Sequence, residues 1–298
     1  MKIICEIFSK IFFYMLAGYV LGKIKYTPIK KTLQLLTGFI TYFVVPVFIV
    51  TSVWSINTGV MPVLKLSAVA VSVVFSGMVF TGIFSRIHSM AFRDACLPIM
   101  FMNSAFMAIP LNTLLFGREG TVYSIVYNTV ALLLLFTLGI YLVSRRNGLQ
   151  QVLKMPIIYA AAAGLLLNLQ GVPVPASVLK IDEALKSITC SAMLVLVGYQ
   201  LDLQKKGVKP GLAFSASLFR FACGFTVSAL LAALFSMKGA MAGVAVISST
   251  MPAAVFTYMI ALKYDAKPEF AAAAIFTGTV LSVGVISLLG VIFGLSAR

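Results

Sequence analysis

The sequence predicts an all-α membrane protein of ten transmembrane helices, arranged as two inverted five-helix repeats, and three observations carry that prediction. Of the 298 residues, 61% are hydrophobic and 10% charged, with a mean hydropathy of +1.05. A soluble domain of this length has no interior able to hide so much apolar surface, so lipid must be its solvent. Ten apolar stretches succeed one another through short polar loops. The fourth stretch of each half contains small and polar residues and a proline: Asn103-Ser104-Ala105-Phe106-Met107-Ala108-Ile109-Pro110-Leu111, and Ser248-Ser249-Thr250-Met251-Pro252-Ala253-Ala254-Val255-Phe256-Thr257-Tyr258.

Residues 3–22 follow Lys2 and have the length of a signal peptide, but Glu6 and Lys10 interrupt the apolar run and no small-residue cleavage pattern follows. They are expected to be a retained first span. The basic loop bearing Lys23, Lys25, Lys30 and Lys31 leads to a second span at about 33–54, broken by Pro46 and ending near Trp54, an interfacial residue. A third span covers about 63–85 and a fourth about 95–116. Pro110 removes a backbone donor and its ring clashes with the carbonyl four residues back, so the fourth helix is expected to break there. In lipid such a break is tolerated only beside protein or water. Gly117-Arg118-Glu119-Gly120 turns the chain into a fifth span at about 121–143.

Arg145-Arg146-Asn147-Gly148 reads as a hinge between halves 1–146 and 147–298. The second half offers spans at about 155–170, 184–201, 211–236, 239–262 and 269–294, the ninth interrupted at Pro252. Phe13-Tyr14-Met15-Leu16-Ala17-Gly18 is loosely matched by Ile158-Tyr159-Ala160-Ala161-Ala162-Ala163-Gly164, and 119–129 is echoed by 269–279. Each match falls at the same ordinal place in its half. Because five is odd, the halves insert with opposite orientation, the plan of many secondary transporters, whose binding sites lie at paired interrupted helices. Lys and Arg are more numerous in the loops after odd-numbered spans, which places those loops in the cytoplasm and both termini outside.

Composition also excludes. The net charge of +15 is scattered through short loops without an aromatic-interleaved basic face, so nucleic acid is not an expected partner. Cys5, Cys96, Cys190 and Cys223 lie far apart and mostly within spans, and the single histidine, His88, falls in a loop, so neither a metal site nor a disulfide framework is expected. The eight acidic residues lie near span ends or in loops, leaving no mid-membrane carboxylate for a proton relay or a paired-carboxylate sodium site. No nucleotide-binding loop is present, and no cofactor is expected.

Interrupted helices offer amide donors at half-helix N-termini, where the dipole favours anions, and carbonyls at half-helix C-termini. Asn103 adds a side-chain amide beside one interruption; Ser248, Ser249 and Thr250 add hydroxyls beside the other, unless they bond back to the preceding turn. Arg220 is the one basic residue deep in a span. A charge there is costly and rarely idle. It serves either as counter-charge to an anionic substrate or as donor to carbonyls freed by a broken helix. Pro46, read from the residues alone, simply kinks the second span. Asn128, Gln200 and Tyr258 are lesser interior polar candidates.

The fourth-span stretch Asn103 to Leu111, with Phe116-Gly117 and Gly120 after it, resembles the signature of the auxin efflux carrier family, which includes plant PIN exporters and bacterial permeases for malate and malonate. Met251-Pro252-Ala253-Ala254-Val255-Phe256, with Ala271 to Thr279 beyond, is similar to that family's ninth and tenth spans. The resemblance covers nearly the whole chain. It implies that spans four and nine cross near the midplane, in a fold related to bile-acid symporters and sodium/proton antiporters of the NhaA type. It also implies a scaffold of spans one, two, six and seven and a moving transport domain of spans three to five and eight to ten.

The expected activity is transport of a small organic anion, a carboxylate, across the cytoplasmic membrane by alternating access at the Pro110 and Pro252 crossover. The substrate-binding candidates are Asn103, Pro110, Ser249, Thr250, Pro252, Arg220 and Pro46. A sodium-coupled symporter of the bile-acid type is the alternative. A membrane-embedded sensor or enzyme would need a buried nucleophile with a base, or a carboxylate pair, which the spans do not offer. The expected partners are the substrate and the lipid bilayer, with room for a homodimer. Short loops suggest a minimal bacterial inner-membrane carrier.

Overall fold

The computed structural model describes residues 2–23, 35, 38–144, 148–203 and 208–292. Most of the basic loop with Lys25, Lys30 and Lys31, the Arg145-Arg146-Asn147 hinge, Lys205-Lys206 and the side chain of Gln200 lie outside the described residues. The described chain is almost entirely helical. Four stretches, Val60–His88, Ser104–Val143, Pro210–Leu234 and Pro268–Leu289, are long and apolar enough to cross a membrane, and Ile40–Trp54, Pro156–Leu169 and Gly239–Ser249 are shorter apolar helices. This is a multi-pass helical membrane protein.

In chain order the helices are α1 (Lys2–Lys23), α2 (Val45–Trp54), α3 (Val60–His88), α4 (Phe92–Met100), α5 (Ile109–Leu134), α6 (Ile140–Val143), α7 (Gly148–Leu153), α8 (Pro156–Leu169), α9 (Ala176–Leu203), α10 (Pro210–Leu234), α11 (Gly239–Ser249), α12 (Val255–Tyr264) and α13 (Pro268–Ile292). Wide π-helical turns lead into α2 (Ile40–Val44), α5 (Ser104–Ala108) and α6 (Leu135–Gly139). Within α5 the backbone leaves helical geometry at Gly117 (φ 61°, ψ −143°), a conformation glycine adopts without a Cβ penalty, and the chain doubles back there. The two arms of that hairpin are tied by Thr113 with Thr121 and by Asn112 with Ser124, both at 2.8 Å.

Two of the expected breaks do not fall at their prolines. The helix around Pro46 is continuous from Ile40 to Trp54, and Pro110 sits in the first turn of α5 with Ala108 and Ile109 both helical. In both places a five-residue π turn precedes the proline. The widened turn gives the ring room from the carbonyl four residues back, and a missing donor costs little so near a helix start. The fourth segment is interrupted earlier, where Phe101 (φ −111°, ψ 127°) and Asn103 (φ −80°, ψ 64°) leave the helix. The ninth is interrupted between Ser249 and Val255, with Pro252 inside the break as expected.

The two unwound segments meet. Met102 and Ala253 form an antiparallel bridge in which the Asn103 amide donates to the Pro252 carbonyl (2.8 Å) and the Ala254 amide to the Phe101 carbonyl (3.0 Å). Backbone groups that lose helical partners at membrane depth must find others, and here each break supplies the other's.

α1 packs along α9 and α2 along α8, while α3 and α10 pack on each other and carry the interrupted pair. Backbones approach closely at small residues: a Cβ on Gly18 would lie 1.9 Å from the Val195 carbonyl oxygen, and one on Gly164 2.7 Å from that of Val50. His88 is the last residue of α3, not a loop residue; its Nε2 lies 2.8 Å from Ser215 Oγ and its ring 4.5 Å from that of Phe84.

Long polar side chains close several helix ends. Lys65 donates to Phe235 at the end of α10 (2.7 Å), and Asn168 Nδ2 donates to the Trp54 and Ile56 carbonyls after α2 (2.9 and 2.8 Å). Arg93 does the most, donating from Nε to the Val143 carbonyl (2.7 Å), from Nη1 to Asp265 (2.9 Å) and from Nη2 to Tyr264, so that α6 and α12 end on one guanidinium. Arg93→Ala orphans these acceptors together, and the melting temperature of the purified protein is expected to fall by about 5 °C, as differential scanning fluorimetry would show.

Candidate functional site

Four helix ends converge where the breaks cross, and they sort by polarity. The C-termini of α4 (Met100) and α11 (Ser249) face one side; the helical starts at Ser104 and Val255 face the other. Each C-terminus acts as roughly −0.5 of a charge and each N-terminus as roughly +0.5.

Arg220 serves the negative side. It reaches from α10 with no solvent exposure, donating from Nη1 to the carbonyls of Ile99 (3.0 Å) and Met100 (2.7 Å) and from Nη2 to that of Ser249 (2.9 Å). Of the two roles open to it in the sequence, the geometry presents the bond to freed carbonyls. The neighbouring hydroxyls are likewise engaged by protein: Ser249 lies 2.7 Å from Tyr127 Oη, Ser248 accepts from Asn112 Nδ2 (3.0 Å), and Thr250 bonds back to the Val246 carbonyl (2.7 Å). Ser249 and Thr250 therefore frame the C-terminal side of the crossing.

The positive side opens on a small pocket of about 10 Å³, room for one water-sized group. Asn103 and Asn128 line it with the first residues of both half-helices. Asn103, 5% exposed, accepts from the Phe106 amide through Oδ1 (3.2 Å) and so caps the π turn. Asn128, 2% exposed, accepts from Ser104 Oγ through Oδ1 (2.8 Å), while its Nδ2 has no hydrogen-bond partner. A buried, unpaired donor costs about 1–3 kcal/mol, so it marks a place where an acceptor belongs. Val255 and Phe256 present first-turn amides without intrahelical acceptors, and their N-cap, Ala254, has no side-chain acceptor to offer.

Beyond the shared wall of Ala105, Phe106 and Phe256 lies a larger cavity of about 270 Å³. Its lining is mostly apolar, with Val44, Val45, Phe48, Ile109 and Ile125, and its polar members are Thr121 and Glu183. The Phe106 and Phe256 rings stand between the two spaces with centroids 5.7 Å apart. Of the residues the sequence nominated, Asn103 lines the small pocket; Pro252 belongs to the bridge, Arg220, Ser249 and Thr250 to the opposite side. Pro46 and Pro110 are among the residues lining neither space. Ser104, Tyr127, Phe106 and Phe256 were not singled out as binding residues, and Asn128 only as a lesser one.

Comparisons with known proteins point to membrane transport. Residues 147–289 match the family described as membrane transport protein. An uncharacterized transporter of Methanocaldococcus jannaschii is 26% identical over 278 residues, covering 86% of this chain and 88% of its own. Another, from Methanothermobacter thermautotrophicus, is 25% identical over 190 residues, covering 61% and 62% respectively. The second half thus matches a membrane transport protein family and relatives named as transporters align across both halves, in keeping with the auxin efflux carrier resemblance of the proline motifs.

Proposed function

We propose that the protein is a secondary carrier for a small organic anion and that the small pocket at the two half-helix N-termini receives one oxygen of its carboxylate. The observation that carries this is the unpaired Nδ2 of buried Asn128, set beside two helix starts whose partial charges sum to roughly +1. One carboxylate balances that sum. The apolar cavity beyond Phe106 and Phe256 suits the hydrocarbon body of such an acid, and Glu183 on its lining opposes a second negative charge there. The reading therefore favours acids with a single carboxylate.

In the same proposal α3–α6 and α10–α13 move as the transport domain against a scaffold of α1, α2, α8 and α9, in the cytoplasmic membrane with both termini outside. The pairing of α1 with α9 and of α2 with α8 supports this division, as do the matched glycines, Gly18 and Gly164, each abutting a neighbouring helix's carbonyl.

The test is thermal unfolding of the detergent-purified protein against a panel of small carboxylates, repeated on Asn103→Ala. A carboxylate at about a hundredfold excess over its dissociation constant should raise the melting temperature by about 5 °C through preferential binding to the folded state. That shift should shrink in Asn103→Ala, whose half-helix start has lost its cap. A full-size shift in the mutant, or no shift with any acid, overturns the site.

A further inference from the structure

We infer that Arg220 is a built-in cation holding the place that a coupling ion would need at this crossing, so that the crossing works without sodium or another alkali ion. The inference rests on the preceding reading only in taking transport to run through the crossing. Converging carbonyl oxygens from two helix C-termini, in a dry interior, are the chemistry that coordinates alkali ions in transporters with unwound helices. Here the carbonyls of Ile99, Met100 and Ser249 supply that arrangement, and guanidinium nitrogens stand 2.7–3.0 Å from them.

The charge balance agrees. Two C-termini sum to roughly −1, which one guanidinium cancels; a sodium ion added beside it would itself be left uncompensated, with a like charge at close range. Space is also closed on that side: Gly224, one turn along α10, has so little room that a Cβ would fall 2.7 Å from Arg220 Nη2. Only Nε of the guanidinium has no hydrogen-bond partner, and as a donor it offers a metal ion nothing.

The experiment is thermal unfolding of the purified full chain without any carboxylate, in sodium, potassium or choline chloride at equal ionic strength. The unmodified protein should melt at the same temperature in all three. Arg220→Ala should melt about 10 °C lower in choline, since it leaves three buried acceptors unpaired, and should regain stability with sub-denaturing guanidinium or with an alkali chloride. Arg220→Lys, which keeps the charge, should retain much of the stability and gain nothing from guanidinium. A sodium-specific rise in the unmodified protein overturns the inference, as does a folded Arg220→Ala indifferent to every cation. Should Arg220→Ala fail to fold, the unmodified protein and Arg220→Lys decide. Because no anion is present, the outcome is independent of the carboxylate reading.

Discussion

Gly224→Ala is expected to abolish the folded crossing. The added Cβ would lie 2.0 Å from the Ser249 carbonyl oxygen and 2.7 Å from Arg220 Nη2, far inside van der Waals contact. Neither neighbour has freedom to retreat. The Ser249 carbonyl is held by Arg220, whose other nitrogen is held by Ile99 and Met100, so displacing one atom loosens the ends of both half-helices. Either no monodisperse protein will be recovered from size-exclusion chromatography, or its melting temperature will fall by more than about 10 °C. Gly211→Ala on the same helix is the control, because a Cβ there meets nothing within 4 Å. Alanine is the better helix former, so that variant should melt at or slightly above the unmodified protein. A Gly224→Ala protein as stable as Gly211→Ala would mean that α10 does not press on the crossing.

The second large effect belongs to ligand binding. Asn128→Asp keeps the oxygen that accepts from Ser104 and replaces only the unpaired Nδ2 donor with a carboxylate oxygen, in a site 2% exposed. A donor aimed at an anion thereby becomes a like charge. Juxtaposed like charges cost several kcal/mol, so carboxylate affinity should fall at least about 100-fold, measured by radiolabelled uptake into proteoliposomes or by loss of thermal stabilisation. Asn128→Ala, which removes the donor without adding charge, should lose about tenfold. Equal affinities in all three proteins would remove Asn128 from the site.

How much of this was legible depends on where each signal resides. Membrane residence follows from composition, and the ninth-segment break from Pro252, because both are local properties. The fourth-segment break was displaced because Phe101-Met102-Asn103 contains neither proline nor glycine; what unwinds it is pairing with the Pro252 segment, a partner remote in sequence. Pro110 misled for the converse reason, since a π turn absorbs its missing donor. Arg220 announced itself as a costly buried charge, but a sequence does not say which carbonyls will surround it. Asn128 had a usable signal that was passed over: polar residues sit at similar distances either side of Gly117, as the pairs Asn112 with Ser124 and Ser104 with Asn128 show. A turn at Gly117 brings such residues to the same depth.

The pinning of Arg220 between two helix ends has an electrical consequence. If these helices move with an anion as proposed, the Arg220 charge would travel out and back with them, and a complete cycle would leave only the anion's charge on the far side. Each singly charged anion moved then does about 2.3 kcal/mol of work per 100 mV of membrane voltage. With the cell interior negative that voltage would favour the outward journey of such an anion, adding to whatever concentration gradient it has.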